Sequence, residues 1–148
     1  MNSRNGLYGY LGVNLLMLVS TNEGYEYTTN IKEIISKYNF EERRSKYSGS
    51  ISYRLKAEEN SKIRAYEVKT FCIYNKFKFF IDNIFEEKYI LRPLAEAQDY
   101  FKDFPRHGYD PVYEAEESEL EEIWEEREAI EGFVFDVEPI VSLKKKET

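Results

Sequence analysis

Residues 114–131 read EAEESELEEIWEEREAIE, ten glutamates in eighteen residues, with one Arg127 and the only tryptophan, Trp124, set among them. The reading of this stretch decides the fold. Leu120, Ile123 and Trp124 recur at i, i+3 and i+4, which predicts a helix pinned to a core by those three side chains. Glu119, Glu121, Glu122, Glu125 and Glu126 would then point outward or sideways as a negative ridge. Such a helix carries an internal cost: Glu117/Glu121, Glu121/Glu125 and Glu122/Glu126 are like-charge i, i+4 pairs, each destabilising by roughly 0.2–0.5 kcal/mol. Arg127 can reach Glu131, and the first glutamates gain from the helix N-terminus, but the middle of the run has no local cation.

Outward from the run, Gly132 is a stop signal, and Phe133, Phe135 and Val137 alternate with Val134, Asp136 and Glu138 as a last strand that Pro139 ends or places at an edge. Upstream, Pro105, Gly108 and Pro111 mark a loop. Pro93 to Phe104 carries the stripe Leu94, Ala97, Phe101 of a short helix. Phe77, Phe80, Ile81, Ile84 and Phe85 share one face of another helix, with Asn75 as its cap. Ile51 to Ala57 alternates as a half-buried strand, and Ile63 to Tyr74 follows as a longer one, so the two predict a hairpin. Its alternation breaks near Val68 to Phe71, as at a bulge. Asn30 can cap a helix through Ile31, Ile34, Ile35 and Tyr38. Leu11 to Ser20 reads as a buried first strand, with Asn22, Glu23 and Gly24 as its turn. The order β-α-β-β-α-α-α-β predicts one α+β domain over residues 1–148, an antiparallel or mixed sheet with helices packed mainly on one face.

At 148 residues with 24 aromatics, the chain has core enough for a domain that needs no disulfide staples. The single Cys72 excludes an intrachain disulfide framework and a cysteine-based zinc site, and a reducing, cytoplasmic setting is expected. The apolar start is interrupted by Gly9, Gly12 and Asn14, and its unbroken run Leu15 to Val19 falls far short of the ~20 residues of a membrane span. A net charge of -7 conceals a division. Residues 109–148 hold 14 acids and 4 bases, whereas residues 1–108 hold 14 acids and 17 bases. A strongly negative C-terminal third repels nucleic acid and anionic lipid and attracts basic proteins.

Candidate chemistry is sparse. Asp136 and Glu138, two residues apart on the predicted last strand, share a face and could hold Mg²⁺ or act as an acid/base pair, which would make the chain a small metal-dependent enzyme. Glu67-Val68-Lys69 has the E-x-K form of one half of a metal-dependent nuclease motif, without the upstream Pro-Asp half. His107 stands alone in a loop, without a sequence neighbour to complete a triad. Cys72 sits in a predicted strand as a small buried side chain. The glycines form no phosphate cradle. Arg43, Arg44, Lys46, Tyr47, Tyr53, Arg54 and Lys56 interleave bases with aromatics, but Glu41 and Glu42 stand among them, against a nucleic-acid groove. No cofactor or metal is expected.

The thirteen tyrosines point to protein contact, since ring and hydroxyl together serve interfaces at low entropic cost. Tyr100, Tyr109 and Tyr113 flank the acidic run, so the expected partner-binding surface is Glu119, Glu121, Glu122, Glu125 and Glu126 with Tyr109 and Tyr113. In size, acidity, lack of cysteine pairs and absence of catalytic signatures, the chain resembles the immunity proteins that bacteria carry against polymorphic or contact-dependent toxins. The resemblance covers composition and layout. It implies a non-enzymatic inhibitor that forms a tight one-to-one complex with a basic cognate toxin, often a nuclease. A phage-encoded inhibitor of a nucleic-acid-targeting defence enzyme, its glutamates imitating phosphates, is the alternative.

Overall fold

The computed structural model describes residues 4–58, 62–100, 106–107, 110–111 and 113–145, with backbone alone at 98–100, 106–107 and 110–111. Of the described residues 59% lie in strands and 10% in α-helix, and one helix reaches seven residues. The expected α+β fold, helices packed on one face of a sheet, is therefore corrected to a mostly antiparallel β architecture. The chain packs as two compact units, one of Gly6–Glu67 with Glu128–Asp136, the other of Met1–Asn5, Val68–Arg127 and Val137–Thr148.

In the first unit β1 (Gly6–Leu11), β2 (Asn14–Thr21), β3 (Gly24–Thr28), α1 (Lys32–Tyr38), β4 (Glu41–Arg44) and β5 (Ile51–Ala57) follow in chain order. The strands are antiparallel in the order β1-β2-β3-β5-β4. The strand expected over Leu11 to Ser20 is β2 from Asn14 onward; it forms a hairpin with β1 through a turn at Gly12, whose φ of 64° favours glycine. Gly9 is fixed by crowding: a Cβ there would lie 3.0 Å from Leu18 Cδ1 and 3.3 Å from Tyr27 Cε1. Leu16, Leu18, Tyr27, Ile34, Phe40, Ala57, Ala65 and Ile130 form the core of this unit. α1 lies where the 3.6-residue stripe placed a helix, but its N-cap is Ile31 and no side chain caps it, so Asn30 does not play that part.

β6 (Ala65–Tyr74) contributes its first three residues to that unit and the rest to the second. There it is followed by β7 (Phe77–Phe85), β8 (Lys88–Pro93), α2 (Ala95–Tyr100), the short pair β9 (Arg106–His107) and β10 (Asp110–Pro111), β11 (Tyr113–Ala115), a 3-10 turn (Glu117–Glu119), β12 (Glu122–Ala129) and β13 (Ile140–Lys144). The order is β11-β8-β7-β6-β12-β13. β5 and β6 do not form the expected hairpin, because β5 joins β3 and β4 while β6 turns back on β7.

The helix expected over Phe77 to Phe85 is the strand β7. Asn75 and Lys76, at φ 49° and 71°, form a two-residue turn that reverses the chain immediately, leaving no room for a helix start. Phe79 and Ile81 point inward at 0% exposure, each contributing about 1.5–3 kcal/mol by burial. Phe80 faces the other way and meets Phe71 edge-on at 5.7 Å. The helix expected from Pro93 survives as the six residues of α2, with Ala97 buried; its stretch 101–104 lies outside the described residues.

The acidic run is not a helix. It enters through β11, makes one 3-10 turn and continues as β12. The like-charge i, i+4 pairs that burden a helix are dispersed by a strand, which sends successive side chains to opposite faces. Downstream, Phe133 to Val137 is loop with one isolated bridge at Val134, and the last strand begins after Pro139. No helix among the described residues is long and apolar enough to cross a membrane.

Candidate binding site

The β7–β8 turn is Glu86-Glu87, both with positive φ, 49° and 67°. It tightens the chain so that Phe85 pairs with Lys88, and it thrusts two carboxylates off the end of the hairpin. The 3-10 turn approaches the same place. There Glu116 and Glu119 form a capping box: the Glu119 carboxylate accepts the Glu116 N–H at 3.0 Å, and the Glu116 carboxylate accepts the Glu119 N–H. Leu120, 1% exposed, anchors the turn in the core of this unit, and the Glu121 N–H bonds to the Ile73 carbonyl at 2.9 Å.

Between the two turns opens a cleft of about 1020 Å³ bordered by Asp82, Glu86, Glu87, Glu116 and Glu117, with Asn5, Ser118 and Tyr89 completing its wall. Among the described residues Lys88 is the one basic residue on that border, and its Nζ lies 3.3 Å from Glu116 Oε1. Asp82 is held by Arg92 at 3.3 Å. Burial, with the charge of Glu117 nearby, raises the Tyr89 phenol above its ordinary value. The arrangement is a concave anionic surface that offers carboxylate oxygens to a cationic ligand.

The residues singled out from sequence are dispersed. Glu119 is exposed and engaged in the capping box. Glu121 and Glu122 are half-buried. On β12 Glu125 takes the inward face, 4% exposed, where Arg4 Nε and Arg127 Nη2 bind its two oxygens at 2.8 and 2.9 Å. Burial raises the Glu125 carboxyl, but the hydrogen bonds and charges of those two arginines outweigh it and hold the group below its usual value. Glu126 takes the opposite face and accepts from Lys78 Nζ at 2.8 Å and from Trp124 Nε1 at 2.9 Å. Trp124 shares that face, stacked on Phe71 at 6.2 Å, so it is half-buried and not the core anchor expected, whereas Leu120 and Ile123 are buried. Tyr113 packs on Tyr74 at 5.5 Å. Tyr109 lies outside the described residues.

Other candidates fare as follows. Asp136 and Glu138 are in loop rather than on a strand, and Asp136 pairs with Arg64 at 3.6 Å. Among the described residues no group of three or more His, Cys, Asp or Glu could hold a metal ion. Glu67 and Lys69 do lie on a strand, β6, with Val68 fully buried between them. Cys72 is fully buried, and burial pushes its thiol up to about 12. The helical stripe expected over Phe77 to Phe85 conceals Asp82, and with it the hairpin turn at Glu86 and Glu87. The signal is the Glu-Glu pair between Phe85 and Lys88, at the spacing of a two-residue turn.

No protein-family model, curated protein or solved structure matches this chain.

Proposed function

We propose that the protein is a non-enzymatic binding protein of the immunity type, which neutralises a basic partner by receiving a cationic projection of that partner in the acidic cleft. One observation carries the reading: among the described residues the concavity is bordered by five carboxylates and a single lysine that is already ion-paired. Carboxylates fixed on two tight turns are pre-organised, so little ordering is required when a lysine or arginine enters. The field of the acidic run steers such a partner toward the site. The partner on this reading is a toxin, such as a nuclease, whose cationic working surface the cleft would occlude.

Nuclear magnetic resonance titration with a hexa-arginine peptide at physiological salt tests this. Perturbations concentrated at Asp82, Glu86, Glu87, Glu116 and Glu117, and lost in the Glu86→Lys/Glu87→Lys variant, support the reading. Shifts spread evenly over every surface carboxylate, or retained in that variant, refute it.

A further inference from the structure

β4 closes one end of the strand order in the first unit, hydrogen-bonded to β5 on one side only, and all four of its residues, Glu41-Glu42-Arg43-Arg44, are exposed. A strand edge is a row of N–H and C=O groups ready to pair with another strand. We propose that this edge pairs antiparallel with the same edge of a second copy of the chain, Glu42 of each copy lying opposite Arg44 of the other.

The charges fix the register. Successive side chains alternate between faces, so Glu41 and Arg43 share one and Glu42 and Arg44 the other. On the first face Arg43 is already compensated, 2.7 Å from Glu26 and 3.5 Å from Glu41. On the second, Glu42 has no ion-pair partner among the described residues, and Arg44 has only a 3.4 Å bond to the Gly49 carbonyl. A two-fold axis normal to an extended sheet must pass through a residue, because directly opposed side chains point the same way. Centred on Glu42, the axis would set Glu42 against itself and Arg44 against Phe40. Centred on Arg43, it makes two Glu42–Arg44 pairs, and the arginine that meets its own copy is the one neutralised within each chain.

Tyr47 extends the contact. It stands fully exposed at the tip of the β4–β5 hairpin, held there by bonds across Ser45 to Ser50. The same register carried past β4 sets it opposite Asn39 of the second copy, where an aromatic side chain can cover the neighbouring chain. Four edge residues and a tyrosine bury less than the roughly 1,200 Å² of a standard complex, so the dimer is a concentration-dependent one.

Short charged edge strands also serve to prevent pairing, and sedimentation equilibrium over a concentration series separates the two roles. The wild-type chain is expected to dimerise. Glu42→Arg and Arg44→Glu should each weaken the dimer by at least about tenfold, because each places like charges opposite one another twice. An equimolar mixture of the two variants should recover a heterodimer, and Glu42→Arg/Arg44→Glu in one chain should recover the homodimer. A wild-type chain that stays monomeric throughout, or single variants that dimerise like the wild type, would overturn the proposal. So would a mixture that shows no recovery.

Discussion

Arg4 grips Glu125 with two bonds, Nε to Oε2 at 2.8 Å and Nη2 to Oε1 at 3.1 Å, across 121 positions of sequence. The segment around Arg4 is fixed at further points. Its N–H and carbonyl both engage the Thr70 hydroxyl, and the Asn5 side chain accepts the Thr70 N–H while donating to the carbonyls of Ile81 and Asp82. A buried carboxylate is tolerated here because two guanidiniums satisfy it, and the pair in turn fastens residues 4–5 to β6, β7 and β12.

Glu125 is the carboxylate that the partly buried Arg4 and Arg127 share. Glu125→Ala should cost about 3 kcal/mol, at the low end for a buried ion pair because Arg4 retains some solvent contact. The urea midpoint measures it. A loss below about 1 kcal/mol would place this pair with ordinary surface salt bridges.

Acidification should act through the same group. Its folded-state pKa lies below the ordinary 4.5, so near and below that pH the unfolded chain binds the proton more readily. The stabilisation is complete above about pH 4.5 and is lost as pH falls through the folded value. Glu126, whose carboxyl is raised by burial but lowered further by Lys78 and Trp124, adds to the same slope. Denaturant midpoints for wild type and Glu125→Gln should converge as the solution is acidified.

The turn at Glu86-Glu87 sets stability against charge. Neither residue suits a positive φ, whereas Asn-Gly does. Glu86→Asn/Glu87→Gly should raise stability by about 1 kcal/mol, since a left-handed conformation costs side-chain-bearing residues roughly 1–2 kcal/mol each. The same change should weaken hexa-arginine binding. Thermal unfolding and the peptide titration report the two effects separately.

Cys72 should resist a thiol reagent in the native protein. Its side chain is fully buried and its thiol is pushed up to about 12, so thiolate is scarce at neutral pH. Labelling with a disulfide reagent should follow unfolding, its rate rising with urea. Prompt labelling without denaturant would contradict the packing of β6.

Lys78 sits 4.2 Å from the Phe71 ring and 5.7 Å from the Trp124 ring, with Glu126 at 2.8 Å. Lys78→Ala should cost about 1 kcal/mol and expose the indole, by loss of the cation–π contacts and of a half-exposed ion pair. Acrylamide quenching of the single tryptophan reads the exposure directly.

Strand content around residues 51–57 and 65–74 and the helix α1 were legible in the sequence. Much of the rest was obscured by residues that serve two periods at once. Phe77, Phe80, Ile81, Ile84 and Phe85 fit a helical stripe only because Phe80 packs on the outer face of its strand while Phe79 and Ile81 fill the inner one. The acidic run carried its own warning. The repulsion counted against a helix is relieved when Arg4, Lys78 and Arg127 are brought to β12 by its pleat and its neighbours. Arg127 is local, but Arg4 and Lys78 lie 121 and 48 residues from their carboxylates, and no local window contains those two. The cleft was hidden for the same reason, since its walls come from two turns that only the hairpin register aligns.

The unit that bears the cleft is assembled from three separate segments of chain, with Arg4 in the first and β13 in the last. During vectorial synthesis its earliest residues must therefore wait for its latest: the 68–127 segment leaves the ribosome with β12 still lacking β13, and Lys144 has yet to reach the Glu117 carbonyl. The turn that carries Glu116 and Glu117 therefore gains this contact only after residue 144 has been made.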